Sequence, residues 1–156
     1  MLKANFITAQ EAAEKIQDGS TLCTIGMTLV SASESILKAI EKRFETVGHP
    51  ADITLVHSCG QSDRKDGIQH LAHEGLVKRI VGSHWGLQPR WMEMIANSQV
   101  EAYCLPQGQI AQLYRSMACG LPGKMSKVGL GTFIDPRVEG GKMNDRTKPL
   151  PDIVDI

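Results

Sequence analysis

The sequence is poor in aromatic side chains: three Phe, two Trp and two Tyr in 156 residues. An aromatic platform for stacking nucleobases is not to be expected from so few. It has no charge bias either, with 17 basic and 17 acidic residues, so no electrostatic argument favours nucleic acid or an anionic membrane surface as partner. No apolar run approaches the roughly 20 residues that span a bilayer, and the N-terminal MLKANFITAQEAAEK turns polar too soon for a signal peptide. A cytoplasmic protein is expected. The four cysteines, Cys23, Cys59, Cys104 and Cys119, form no C-x-x-C pair; buried or part-buried free thiols are expected rather than disulfides or zinc ligands.

Several chemical signatures are missing as well. There is no G-x-G-x-x-G and no G-x-x-x-x-G-K-[ST], so the Gly26 loop reads as an ordinary strand-to-helix turn rather than a phosphate cradle. No G-x-S-x-G elbow occurs, and Ser58-Cys59-Gly60 offers a nucleophile without an identifiable base. His70-Leu71-Ala72-His73-Glu74 matches neither H-E-x-x-H nor H-x-x-E-H, so a polar or packing role is expected over a metal site. Trp85 and Trp91 read as packing residues.

What is present alternates. Thr8-Ala9-Gln10-Glu11 is a capping box that opens a helix ended by Asp18-Gly19. Ser20 to Ile25 reads as a strand, and Ser31-Ala32-Ser33-Glu34 as a second capping box. The helix behind it carries Ile36, Leu37, Ile40 and Phe44 at helical spacing and stops near Gly48-His49-Pro50. Ile53 to His57 is a buried strand, Ile68 to Gly75 a short helix, and Lys78 to Gly82 a strand. Leu87 to Ala96 reads as a helix with Pro89 in its first turn, Val100 to Leu105 as a strand, and Gly108 to Cys119 as a helix closed by Gly120. From Ser126 the chain reads as glycine-spaced and extended, and Asp152 to Ile156 as a strand just beginning. This alternation predicts an α/β fold: a mostly parallel open sheet with helices on both faces. One domain over residues 1–145 is expected, with 146–156 a truncated tail or the start of a linker or strand.

In such a sheet the site lies in the loops at the carboxyl ends of the strands. The loops concerned are 26–32, 58–67, 83–86 and 106–108. Gln107, in Pro106-Gln107-Gly108, offers a neutral amide that can donate to a developing oxyanion, the requirement of acyl transfer. Gly129-Leu130-Gly131 would let backbone approach what that amide faces.

Blocks of the sequence carry more. Pro106-Gln107-Gly108, Leu113-Tyr114-Arg115, the run from Lys127 to Arg137, and Glu139-Gly140-Gly141-Lys142 resemble the first half of family I coenzyme A transferases, in the acetate, propionate and acetoacetyl branch. Leu71 to Arg79, Gly82 to Leu87, and Asp18-Gly19 with the following strand and Gly26 loop are similar to the same branch. The resemblance runs from about residue 5 to 144. It implies the transferase/isomerase-like fold and a ping-pong transfer of CoA between a short-chain acyl-CoA, such as acetyl-CoA or acetoacetyl-CoA, and a carboxylic acid. Gln107 would hold the thioester oxygen; Gly26, Met27, Thr28, Gly129, Leu130 and Gly131 would contact substrate. No tightly bound cofactor and no metal are implied, the coenzyme A thioester being substrate.

The family's nucleophilic glutamate lies in an E-x-G-x-x-G pattern of its second half. Glu139-Gly140-Gly141 begins that way but has Asn144 in sixth position. The resemblance therefore implies an α half, as a subunit or a fragment, inactive alone and completed in an oligomer by a β half. The other reading is a non-catalytic remnant or binding domain of the same fold. A sugar-phosphate isomerase-like domain shares the general fold but has no support in these motifs.

Overall fold

The structure, a computed structural model, describes residues 4–155. Four parallel strands, β1 (Thr21–Thr24), β2 (Ile53–His57), β3 (Val77–Gly82) and β4 (Glu101–Cys104), form one open sheet in the order β1-β2-β3-β4. Between them run α2 (Glu34–Val47), a 3-10 helix (Gly67–Leu71) and α3 (Pro89–Ala96); α1 (Ala9–Glu14) precedes the sheet and α4 (Gln107–Ala118) follows it.

The register sorts the side chains into two faces. Leu22, Leu55, Ile80 and Ala102 stand in one row across the four strands, and Thr24, His57, Gly82 and Cys104 in the next row on that face. The first row joins Leu37 and Ile40 of α2, Ile68 and Leu71 of the 3-10 helix, and Trp91, Met94 and Ile95 of α3 in the core. Each fully buried Leu or Ile here contributes about 1.5–3 kcal/mol of transfer free energy. The opposite face carries Cys23, Val56, Val81 and Tyr103. Val81, Tyr103 and Ile110 of α4 are buried apart from the first core, and the Tyr114 hydroxyl of α4 donates to the Val56 carbonyl at 3.1 Å. Helices thus serve both faces. The second face is thin over β1, which leaves Cys23 exposed; Cys119 is exposed at the end of α4. The expectation of buried or part-buried thiols therefore holds only for Cys59 and Cys104.

The capping box at Thr8 forms: the Thr8 hydroxyl accepts the Glu11 N–H at 3.2 Å, and the Glu11 carboxylate accepts the Thr8 N–H at 2.7 Å. Arg43 of α2 caps the other end of α1 by donating to the Ala13 and Ile16 carbonyls, both at 2.8 Å. The second capping box does not form. Ser33, not Ser31, precedes α2, without a side-chain cap, so Glu34 stands first in the helix rather than third and its carboxylate turns to the tertiary structure. Its carboxylate accepts the Gly67 N–H at 2.9 Å and faces Lys38 at 3.0 Å and His70 Nε2 at 2.8 Å.

His70 is the centre of this network. Its Nδ1 meets Glu41, its Nε2 meets Glu34, and Asp66 stands 3.3 Å from Nε2. His73 also meets Glu41, at 2.9 Å, and Arg90 lies 3.7 Å from the same carboxylate. The HLAHE stretch thus binds the 3-10 helix to α2. Glu34, Asp66 and His70 are close enough to hold a cation, but Lys38 Nζ lies between the two carboxylates, 3.3 Å from Asp66.

Residues 128–141 are turn-rich, not extended as the glycine spacing suggested. Gly129, Gly131, Gly140 and Gly141 all take positive φ, which folds the chain back on itself. Asp135 pins the fold by accepting the Gly131 N–H at 2.7 Å and both the N–H and guanidinium of Arg137. Cys104 then donates its N–H to the Gly141 carbonyl at 2.8 Å, and Met143 to Ala102 at 3.0 Å, covering the edge of β4. A Cβ at Gly141 would fall 2.5 Å from the Cys104 carbonyl oxygen. Past residue 145, Thr147 is buried and Arg146 donates to the Gln99 carbonyl. Residues 152–155 carry no strand, and Ile156 lies outside the described residues. No helix among the described residues is long and apolar enough to cross a membrane.

Candidate functional site

The loops that leave the four strands are bonded to one another. After β1, residues 26–32 form a tight turn closed by Met27 and Val30, each N–H donating to the other's carbonyl, at 3.0 and 2.9 Å. Gly26 is obligatory there: its φ is 140°, and a Cβ would fall 2.9 Å from the Val30 oxygen. Thr28 donates its N–H to the Gly60 carbonyl at 2.8 Å, joining the first loop to the second. Ser83 Oγ donates to the Ser58 carbonyl at 2.7 Å, joining the third loop to the second. Leu105 N–H donates to the Gly82 carbonyl at 2.9 Å, bringing in the fourth.

These loops enclose a cavity of about 620 Å³. Met27 and Thr28 come from the loop after β1; Cys59 and Gly60 follow β2; Ser83, His84 and Leu87 follow β3. Cys104 to Gln107 lead from β4 into α4, and Phe133 and Ile134 close the wall from the turn-rich segment. The lining is mainly apolar, with a few hydrogen-bonding groups, which is the usual make-up of a small-molecule site.

Gln107 is the first residue of α4, with Pro106 in extended conformation as its N-cap. It is exposed, on the cavity wall. The first N–H groups of a helix have no intrahelical acceptor and carry partial positive charge. Gln107 and the first turn of α4 thus bring hydrogen-bond donors to this corner of the cavity.

Of the residues singled out in the sequence, the cavity wall brings together Gln107, Met27 and Thr28. Gly26, Gly129, Leu130 and Gly131 are not part of it. Gly26 shapes the turn that presents Met27 and Thr28, and Gly129 lies against Ile134, to whose Cγ2 a Cβ would come within 3.3 Å. His84, Leu87, Leu105, Phe133 and Ile134 were not identified as site residues by sequence reasoning. For His84 and Leu87 the loop after β3 was a usable signal. Phe133 and Ile134 reach the cavity only through the fold of residues 128–141.

A group of polar side chains is buried next to these loops. His57, Gln61 and Gln88 are fully buried. His57 Nδ1 faces the Cys59 carbonyl at 2.7 Å, so that nitrogen carries the proton and Nε2, which has no partner, is bare. Burial, partly offset by the Cys59 carbonyl and reinforced by the neighbouring His84, pushes the His57 pKa down to about 4. Gln88 Nε2 donates to the His84 carbonyl at 3.1 Å, and its Oε1 accepts the Gln61 N–H at 2.9 Å, in the amide orientation that satisfies both.

Comparison with known proteins agrees with this architecture. The family described as "Coenzyme A transferase" matches residues 6–153. A caffeate CoA-transferase of Acetobacterium woodii is 41% identical over 154 residues, covering 98% of this chain and 29% of that protein. A crystal structure of the acyl-CoA transferase YdiF of Escherichia coli O157:H7, a thioester complex with CoA, superposes with a TM-score of 0.87 at 36% identity; it covers 96% of this chain and 29% of that one. One subunit of a probable succinyl-CoA:3-ketoacid coenzyme A transferase of Bacillus subtilis is 28% identical, over 92% of this chain and 58% of its own length. The chain therefore spans about three-tenths of the first two proteins and somewhat over half of the third. With nearly all of its residues inside the matched region, and its parallel sheet and cavity-forming loops in the same frame, the chain belongs to the coenzyme A transferase family.

Proposed function

We propose that this chain is the α part of a cytoplasmic CoA-transferase that moves CoA between a short-chain acyl-CoA, such as acetyl-CoA or acetoacetyl-CoA, and a carboxylic acid. A glutamate on a β part supplies the nucleophile. The observation that carries the reading is the placement of the Gln107 amide on the wall of an open, largely apolar cavity at the strand ends.

The glutamate carboxylate adds to the thioester carbonyl, whose oxygen takes up negative charge as the tetrahedral adduct forms. Gln107 donates to that oxygen. The C–S bond then breaks, releasing CoA thiolate and leaving an acyl-glutamyl anhydride. The thiolate attacks the glutamyl carbonyl, expelling the donor acid as its carboxylate and leaving a glutamyl-CoA thioester. The acceptor carboxylate reverses these steps and leaves as the new acyl-CoA. A neutral amide suits both directions, because it can donate to the oxyanion formed in each of them.

The β part has support in the surface as well as in the Bacillus relative, which is itself named as one subunit of its transferase. Ile25, Met27 and Val30, in and beside the loop after β1, are 64%, 62% and 68% exposed. Apolar surface around the mouth of a site marks an interaction surface. The test is to combine the chain with a β part carrying E-x-G-x-x-G, supply acetyl-CoA and labelled propionate, and follow labelled propionyl-CoA. Exchange is expected only from the pair. A stable pair that makes no propionyl-CoA contradicts the proposal.

A further inference from the structure

The cavity is unusual in its charge. Of its thirteen lining residues none is Lys, Arg, Asp or Glu; His84 is the one side chain among them that can carry a positive charge. A transferase of acids must receive a carboxylate, and taking that charge out of water into an apolar cavity is costly unless a partner meets it. We propose that His84 is the residue of this chain that receives and orients the free carboxylic acid. The proposal rests on the CoA-transferase reading of the site and adds a residue to it.

The placement of His84 is built rather than incidental. Its ring lies between two glycines from different loops. A Cβ at Gly60 would fall 2.8 Å from His84 Nδ1, and a Cβ at Gly86 would fall 2.9 Å from Nε2. Any other residue at either position would displace the ring. The His84 backbone is held from below by the buried Gln88 amide. The ring has no hydrogen bond to any described residue, and His84 is exposed on the cavity wall, so its hydrogen-bonding capacity is unspent. The titratable groups near it are few: His57 behind it, and the Cys59 and Cys104 thiols on the cavity wall. No carboxylate among the described residues lines the cavity to compete for the imidazole.

The two substrates differ in one respect that His84 would sense. A thioester is neutral at its acyl end, whereas a free acid is an anion. A hydrogen bond from the imidazole N–H to the carboxylate therefore favours the acid over the thioester, and in the forward cycle acts on acceptor entry and on release of the donor acid.

The experiment uses the chain completed by its β part, with acetyl-CoA as donor and propionate as acceptor. In H84Q, kcat/KM for propionate should fall roughly ten- to a hundredfold further than kcat/KM for acetyl-CoA, the range for losing one charge-assisted hydrogen bond. Inhibition by product acetate should weaken by the same factor. G86A, which crowds the ring without removing it, should shift the two substrates apart in the same direction. Equal losses for acid and thioester, or propionate KM values within twofold of wild type in both variants, would overturn the assignment. A wild-type pair that fails to exchange CoA would instead overturn the underlying functional reading.

Discussion

The imidazole of His57 lies across the bare Cα of Gly82 on the neighbouring strand: a Cβ at residue 82 would fall 2.3 Å from His57 Nε2 and 2.6 Å from Cε1. The two residues share a row of the sheet, and the absence of a side chain on β3 is what lets β2 bury a histidine at its carboxyl end. Replacing Gly82 with Ala should destabilise the fold by about 1–3 kcal/mol, the usual cost of overpacking. The cost should shrink in an H57A background, where the ring is gone, and a double-mutant cycle in urea measures the difference. Equal costs in both backgrounds would show that the contact is not the cause.

The same burial sets the charge of His57. Its folded pKa of about 4 lies below the ordinary 6.5, so between these values the unfolded chain binds more protons than the folded one. Stability from this residue is therefore full above pH 6.5 and falls as pH drops toward 4. Imidazole NMR shifts should show His57 neutral, protonated on Nδ1, at pH 5.5, with its midpoint near 4. A midpoint near 6.5 would contradict the buried, unpartnered Nε2.

His70 behaves in the opposite sense. Burial disfavours its charge, but the hydrogen bonds from Glu34 and Glu41 outweigh that cost and raise its pKa above 6.5. Both ring nitrogens face carboxylates, so both are satisfied only when both carry protons. The resulting stability is fully present below pH 6.5 and is lost as pH rises through the raised folded value. With Lys38, Asp66, His73 and Arg90 sharing the network, the tie is worth about 1 kcal/mol after screening. That corresponds to about 2–4 °C in Tm for a chain of this size. The Tm gap between wild type and H70Q should be widest near pH 6 and close toward pH 9. A gap that widens with pH would contradict the imidazolium bridge.

The sequence disclosed these features unevenly, for physical reasons. β2 was read to the residue because Ile53 to His57 is apolar and β-branched between turn residues, a purely local signal. The Thr8 box was legible because both partners lie three residues apart. The Ser31–Glu34 box looked the same locally, but Glu34 bonds Gly67 and His70, more than 30 residues away, and no local pattern reports that competition. Glycine spacing in residues 128–141 was visible; the Asp135 bonds that convert it from an extended run to turns were not. In the site, Gln107 was found through its turn and its family block. His84 is a lone histidine in a loop until the sheet places Gly60 and Gly86 against its ring.

The central claim is that this chain contributes the group that stabilises the acyl oxyanion, while the attacking carboxylate comes from another part of the enzyme. Its most direct test is Q107A in the completed, exchange-competent enzyme. Loss of one oxyanion donor should lower kcat for CoA exchange by about ten- to a thousandfold, with little change in the KM for acyl-CoA. An unaltered kcat in a correctly folded Q107A enzyme would contradict the claim.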